Sequence, residues 1–452
     1  MGLAVAACSS AKDPAGAEGT GGAGVANPSA TGGSGMSGGA TGGPPATGGA
    51  TQAATGGANG SGGVNPTPGS GTGGSAGRPA ASGGASGGGT ATGGVVGAAG
   101  AGAPGGGGGN SGGAGAAGGS AGSGGAAGAT TPASDPGTEG DGEVMAGPNY
   151  VTQPDLRAGN APVGKTFSFT MNSSSSKIFT GLDATLTSPK AFSRLVTVYI
   201  PAKYKDGTAA PFMTIQDGAR AHYDLVRLAV DNLSQSTDPA RRLPAIIVVA
   251  IHNGPGDGKG SERGLEYDTM SDRYGRFVDE EVLPAVLANA DIKAAYPNLK
   301  FTDDPEGRGT VGCSSGGAAA VIMAWMQPDR FRKVIAYSAT LVAQQADNAP
   351  EAAMYPDGAW DLHSDLSLIA NSDKKPLRIF IGANQMDNGA GTGEAGKHDW
   401  LLANQRTAAA LKAKGYHYRF LYGLGASHCT QGVENATMAD TMLWLWRGYP
   451  IQ

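Results

Sequence analysis

Hydrophobic and polar positions follow two regimes along this chain. Before residue 148 large apolar side chains are almost absent, and no period can be drawn through them. Beyond that point the pattern becomes regular. Residues 166–171 and 195–200 read as strands, and 212–216 and the run 245–251 (AIIVVAI) read as parallel strands buried on both faces. Helical spacing appears over Ala221–Leu233 and again over 273–289, where Phe277, Val278, Val282, Leu283 and Val286 share a face. A short strand at 309–311 leads into an alanine-rich helix at 316–326. Strands at 333–338 and 377–381, a helix at 400–414, a strand at 418–422 and a helix at 434–446 complete the pattern. Strands alternating with helices predict a mostly parallel sheet covered on both faces. In such a sheet, sites form beyond the carboxyl ends of the strands.

Composition explains the first regime. Most of the 80 glycines lie before residue 148, in a tract of Gly, Ala, Ser and Thr with recurrent Ala-Thr-Gly-Gly and Gly-Gly-Ala units. No unit carries an apolar face to stack, and burial there cannot offset the entropy of ordering the chain. The expected layout is a short leader at 1–8, a disordered low-complexity linker at 9–147 and one domain at 148–452. The formal net charge is −5 and no Lys/Arg cluster stands out, which argues against nucleic-acid binding. No apolar run is long enough to span a bilayer. Val5-Ala6-Ala7-Cys8 resembles a bacterial lipobox, though no Lys or Arg precedes its short apolar stretch. Lipidation at Cys8 is the expectation, against an accidental alanine-rich start. It would make the chain a secreted or cell-surface lipoprotein touching a membrane only through that anchor. A coil of ~140 residues then holds the domain on the order of 60 Å away.

The chemistry concentrates at the junction of strand 309–311 and its helix. Gly312-Cys313-Ser314-Ser315-Gly316 fits G-x-S-x-G, in which a nucleophilic serine sits on a strained turn and flanking glycines remove clashing Cβ atoms. The same letters also describe a plain helix start. The context of strand, elbow and helix favours Ser314 as nucleophile on an α/β-hydrolase fold, with the N–H of Ser315 facing a developing oxyanion. His428, between the last strand and the last helix, stands where that fold places its base. His222, His252, His363, His398 and His417 have weaker positions. The acid should follow strand 377–381. Asp387 in Met386-Asp387-Asn388-Gly389 is the choice, against a plain Asp-Asn-Gly turn, with Asp399 as alternative. The second oxyanion donor should come from Asp217-Gly218-Ala219, through the N–H of Gly218 or Ala219.

Cys313 immediately precedes the nucleophile and Cys429 immediately follows the base. A serine and a histidine that must meet within ~3 Å bring their neighbours within reach of a disulfide. A Cys313–Cys429 bond is therefore expected, against two buried free thiols. The Cys and His spacings fit no zinc pattern, so neither metal nor organic cofactor is expected.

Taken together, residues from about 165 to 450 resemble the Putative esterase family, which includes enterochelin esterase-like hydrolases and the feruloyl and acetyl-xylan esterases. The matching pieces are Val198-Tyr199-Ile200-Pro201, Gln216-Asp217-Gly218, Arg263-Gly264-Leu265-Glu266-Tyr267-Asp268, Glu281-Val282-Leu283-Pro284, the elbow, and Leu443-Trp444-Leu445-Trp446-Arg447. The resemblance implies metal-free ester hydrolysis by a Ser-Asp-His triad. One departure is Gln385, at a position where relatives carry an acid. The Cys-Ser and His-Cys pairs are also similar to tannase-type feruloyl and glucuronoyl esterases, where the two cysteines form a disulfide, and this hints at carbohydrate-linked esters. The stretch Glu266-Tyr267-Asp268 follows a glycine-rich loop at 254–264. A salt bridge such as Arg263 with Glu266 is expected there, with a rim contact to substrate as the alternative. The expected partner is a small-molecule or polysaccharide ester. The competing readings are an acyltransferase on the same fold and a non-catalytic, surface-tethered carbohydrate-binding module.

Overall fold

The structure, a computed structural model, describes residues 136–451. Within them a nine-stranded sheet forms the centre. Its strands are β1 (Gly142–Ala146), β2 (Lys165–Asn172), β3 (Ser193–Ile200), β4 (Phe212–Ile215), β5 (Ile247–Ile251), β6 (Arg308–Cys313), β7 (Lys333–Tyr337), β8 (Arg378–Met386) and β9 (His417–Ser427). The spatial order is β1-β9-β8-β7-β6-β4-β5-β3-β2. β2 pairs antiparallel with β3, and β3 antiparallel with β5. Every other pairing in the sheet is parallel. The α/β-hydrolase architecture read from the alternating pattern is the one present.

The central strands are apolar throughout because both faces are covered. All five residues of β5 and all five of β7 are buried. Helix α1 (Ala221–Leu233) packs on one face, where Leu225, Val226 and Val230 meet Val433, Met438 and Met442 of the last helix. Helices α2 (Glu262–Tyr267), α3 (Ser315–Met326) and α4 (Trp400–Ala413) add Leu265, Val321, Ile322, Ala403 and Leu411 to the core on the opposite face. The last helix is α5 (Gln431–Leu445). Helix α3 is buried from Ser315 through Trp325, which explains its run of small residues: it presses against the sheet beneath and α2 above.

The structure departs from the sequence pattern in three places. β1 lies inside the stretch read as linker, pairing from Gly142↔Arg419 to Ala146↔Gly423. It was illegible because five residues with two glycine-or-alanine ends and an exposed Met145 carry almost no apolar signal. Its position is fixed by Asp141, which accepts from the Trp444 indole at 3.0 Å and contacts His417 Nδ1 at 2.9 Å. β9 extends five residues beyond the expected 418–422, through Gly423 and Gly425, alongside a register shift in β8 between Asn384 and Met386. The helix expected at 273–289 passes through a π-helical turn at Val278–Val282 before Pro284.

Candidate active site

Strand order brings five loop beginnings side by side. β6 lies between β4 and β7, and β8 lies between β7 and β9. Their carboxyl ends therefore deliver Asp217, Ser314, Ser338, Asp387 and His428 to one edge of the sheet.

Ser314 ends β6 and opens α3 with φ 58° and ψ −131°, a conformation open to few non-glycine residues and worth about 1–3 kcal/mol of strain. Three backbone hydrogen bonds hold it there. Ser314 N donates to the Tyr337 carbonyl at 3.1 Å, and the Ser314 carbonyl accepts from Thr340 N and Ala318 N at 3.0 Å each. Gly312 makes the turn sterically possible, since a Cβ there would lie 2.3 Å from the Gly316 carbonyl. The Ser314 hydroxyl is half-buried and contacts Thr340 Oγ1 at 3.5 Å.

Asp387 follows β8 directly and its side chain is fully buried. One oxygen meets His428 Nδ1 at 2.6 Å and accepts from Asn388 N at 3.0 Å. The other accepts from Ser338 Oγ at 2.7 Å and Asn384 N at 3.2 Å. A carboxylate supplied with donors on both oxygens can only accept from the imidazole, so Nδ1 carries the proton and Nε2 presents its lone pair. Asp399, the alternative acid, lies elsewhere in the network. It caps α4 by accepting from Leu402 N at 2.9 Å and also accepts from Gly391 N and Gly393 N. Gln385 is exposed and accepts from Gly425 N at 2.9 Å, tying the β8 end to the loop that leads to His428.

Ser314 and His428 make no hydrogen bond in this resting arrangement; two linkages connect them. The first is the Cys313–Cys429 disulfide, with a Cα–Cα distance of 6.1 Å. The second runs through Trp400. Its ring meets the His428 ring edge-on at 6.1 Å, and its indole N–H donates to Thr340 Oγ1 at 3.2 Å. Catalytic hydrogen bonds are often unmade before substrate binds.

The oxyanion-side loop corrects one expectation. Gly218 N donates to the Ile251 carbonyl at 2.9 Å and so is already used. No hydrogen bond takes up the N–H of Ala219 among the described residues. Ser315 is the first residue of α3, where backbone N–H groups have no intrahelical acceptor. At Gly218, with φ 78°, a Cβ would fall 1.9 Å from the His252 ring, so any other residue would strain the backbone and displace that ring. Asp217, also left-handed at φ 64°, donates its N–H to Tyr267 Oη at 3.0 Å. Its carboxylate is gripped by Arg263, Nε at 2.8 Å and Nη2 at 3.1 Å.

Arg263 also bonds Asp257, whereas Glu266 pairs with buried Arg194 at 2.5 Å. The Arg263–Glu266 bridge expected from the sequence is thus replaced by Arg263 with Asp217 and Asp257, and Arg194 with Glu266. Asp268 is fully buried against α3 and accepts from Ser315 Oγ at 3.1 Å. Burial pushes its carboxyl up to about 7, with Arg263 and the Ser315 and Gln344 hydrogen bonds opposing.

Among the described residues, two clusters have ligand atoms spaced as in a metal site. In one, the Cys313 sulfur is consumed by the disulfide while His222 and Glu434 pair at 3.0 Å. In the other, Lys397 stands as cation to Asp357 at 2.6 Å and Asp365 at 2.7 Å. Cys8 lies outside the described residues.

Sequence reasoning missed Ser338, Thr340 and Trp400. Ser338 and Thr340 follow the strand that neighbours the elbow strand, and that adjacency was the available signal. Trp400 read only as a helix start.

The family model described as Putative esterase matches residues 192–431, a span that includes Ser314, Asp387 and His428. The chain belongs to that family. This esterase is accordingly a carboxylic ester hydrolase of the serine type. An uncharacterized protein, YbbA, of Bacillus subtilis (strain 168) is 25% identical to it over 156 residues, 34% of this chain and 59% of that protein. Among solved structures, a ferulic acid esterase from the anaerobic fungus Anaeromyces mucronatus aligns with 12% identity and a TM-score of 0.44, over 66% of this esterase and 98% of that chain. The enterobactin esterase of Shigella flexneri aligns with 17% identity and a TM-score of 0.42, over 65% and 62%. An S-formylglutathione hydrolase from Agrobacterium tumefaciens aligns with 17% identity and a TM-score of 0.37, over 63% and 95%.

Proposed function

We propose that this esterase cleaves its substrates through a Ser314 acyl-enzyme, with His428 as base and Asp387 as the acid that orients it. His428 Nε2 takes the Ser314 proton as the hydroxyl attacks the ester carbonyl. Asp387 holds the imidazole tautomer and stabilises the imidazolium that forms. The N–H groups of Ser315 and Ala219 receive the oxyanion, each worth about 3 kcal/mol of transition-state stabilisation. His428 then returns the proton to the leaving alcohol, and water, activated by the same imidazole, releases the acid. The observation that carries this reading is the 2.6 Å Asp387–His428 contact beside a serine held at φ 58°.

The substrate is a carbohydrate-linked or other small carboxylic ester. The cysteines flanking nucleophile and base, similar to those of tannase-type and glucuronoyl esterases, support this. A disulfide is at home in an oxidising compartment, which together with the lipobox-like start supports a secreted or surface-tethered enzyme.

The experiment is a screen of purified protein against feruloyl, acetyl-xylan, glucuronoyl and short p-nitrophenyl esters, with Ser314→Ala and His428→Ala beside the native protein. Turnover that both substitutions abolish is expected. Turnover that survives Ser314→Ala overturns the mechanism. No turnover of any ester by folded native protein favours the binding-module reading. An added alcohol acceptor that captures the acyl group identifies a transferase.

A further inference from the structure

Four hydrogen-bonding groups flank the nucleophile, and the direction of each bond between them can be worked out. An indole N–H can only donate, so Trp400 Nε1, 3.2 Å from Thr340 Oγ1, makes that oxygen an acceptor. Thr340 is 1% exposed, and its hydroxyl proton needs an acceptor of its own. Among the described residues, the remaining hydrogen-bonding partner of Thr340 Oγ1 is Ser314 Oγ, at 3.5 Å. If Ser314 donated instead, the Thr340 proton would be buried without a partner. The assignment that satisfies every group has Trp400 donating to Thr340 and Thr340 donating to Ser314. The Ser314 proton is then left for an acceptor outside this pair. On the other side, Asp387 fixes the His428 proton on Nδ1 and leaves Nε2 as that acceptor.

We infer that Thr340 and Trp400 are positioning residues that extend the triad upstream, directing the Ser314 proton toward His428 and stabilising negative charge as it grows on Oγ. The inference rests on Ser314 and His428 acting as nucleophile and base. The placement is rigid at both ends. Thr340 N is bonded to the Ser314 carbonyl at 3.0 Å, so hydroxyl and nucleophile move as one unit. Trp400 is 9% exposed and its ring also packs edge-on against His428, so one side chain braces both halves of the proton path. The following residue but three, Asn404, donates to the Ala339 carbonyl at 2.9 Å and locks the first turn of α4 against the Thr340 loop.

The test is a set of variants assayed on a p-nitrophenyl ester, with kcat and KM resolved and with the rate of fluorophosphonate labelling. Thr340→Val keeps the shape and removes the hydroxyl; kcat and labelling rate should fall together by about 10-fold with KM unchanged. Thr340→Ser should recover to within about 2-fold, since the donor returns. Trp400→Phe keeps the packing and removes the N–H; a loss of about 3-fold in kcat is expected. The double variant Thr340→Val/Trp400→Phe should match Thr340→Val alone, because the indole acts only through the hydroxyl. Losses that multiply, a Thr340→Val enzyme with native kcat, or a loss that Thr340→Ser does not recover overturns the inference. Should Thr340→Val not fold, Trp400→Phe and Thr340→Ser decide it by the same criteria. Ser314→Ala run in parallel separates the two claims. If it retains turnover, the underlying mechanism is wrong; if it is dead while Thr340→Val is native-like, only the positioning role fails.

Discussion

Removing the Cys313–Cys429 disulfide should have two separable effects. The bond closes a loop spanning 116 positions, from the elbow at the end of β6 to the residue after His428. By the chain-entropy relation, opening such a loop in the unfolded state destabilises the fold by about 4.8 kcal/mol. That is a large fraction of the 5–15 kcal/mol on the order of which domains are stable. For a domain of this size it corresponds to a fall of about 7 °C in Tm. Cys313→Ala/Cys429→Ala is the cleanest perturbation, since it leaves no polar group where Cys313 is 6% exposed. The second effect is local. Cys429 adopts φ 48° beside His428, and with the sulfur link gone its position rests on the bond from its N–H to Ser338 Oγ at 3.3 Å. kcat should therefore fall while the substrate affinity changes little. The assay is urea unfolding of native, alanine-substituted and phosphine-reduced protein, with kcat and KM measured below the transition. Both treatments should lower stability equally. A loss under about 1 kcal/mol with unchanged kcat would refute the claim that this bond fastens the base loop to the elbow.

The two candidate acids should respond in opposite ways. Asp387→Asn should lower kcat by about 10⁴-fold with little loss of stability, because the amide presents a donor to His428 Nδ1 and favours the wrong tautomer. Asp399→Asn should leave kcat within a few-fold and lower stability by about 1–2 kcal/mol, because the amide oxygen can still cap α4 but its N–H₂ replaces the oxygen that accepts from Gly391 N and Gly393 N; the reverse pattern would exchange their roles. Asp268 predicts a pH dependence. Its carboxyl sits near 7 in the folded protein, while an unfolded chain ionises it at the ordinary value near 4. The folded state holds the extra proton between these values, so this residue's contribution to stability declines as pH rises from about 4 to 7 and levels off above. Asp268→Asn should flatten that part of the Tm–pH profile, and an unchanged slope contradicts the assignment.

Much of this site was readable from residue order because strand–loop chemistry is local. The elbow needs small residues at fixed offsets, and Gly312 and Gly316 announced it around Ser314. His428 was legible by its place between the last strand and last helix, and the disulfide followed from the two meeting. What escaped depended on which strands become neighbours. Ser338 and Thr340 matter because β7 lies beside β6, which no local pattern states. Asp387 and Asp399 could not be separated without knowing that one lies at a strand end and the other at a helix cap. Gly218 was nominated as a donor because glycine permits close approach; its N–H turned out to be committed to Ile251 across β5. β1 was lost because its pairing partner, β9, is remote in sequence and supplies the order its own five residues lack.

The central claim is that the hydroxyl of Ser314 is activated by His428. Incubation with a fluorophosphonate followed by peptide mass mapping reads this directly. A single adduct on Ser314, formed rapidly by native protein and slowed by orders of magnitude in His428→Ala, is the predicted result. An adduct on another residue, or equal labelling of Ser314 with and without the imidazole, would contradict it.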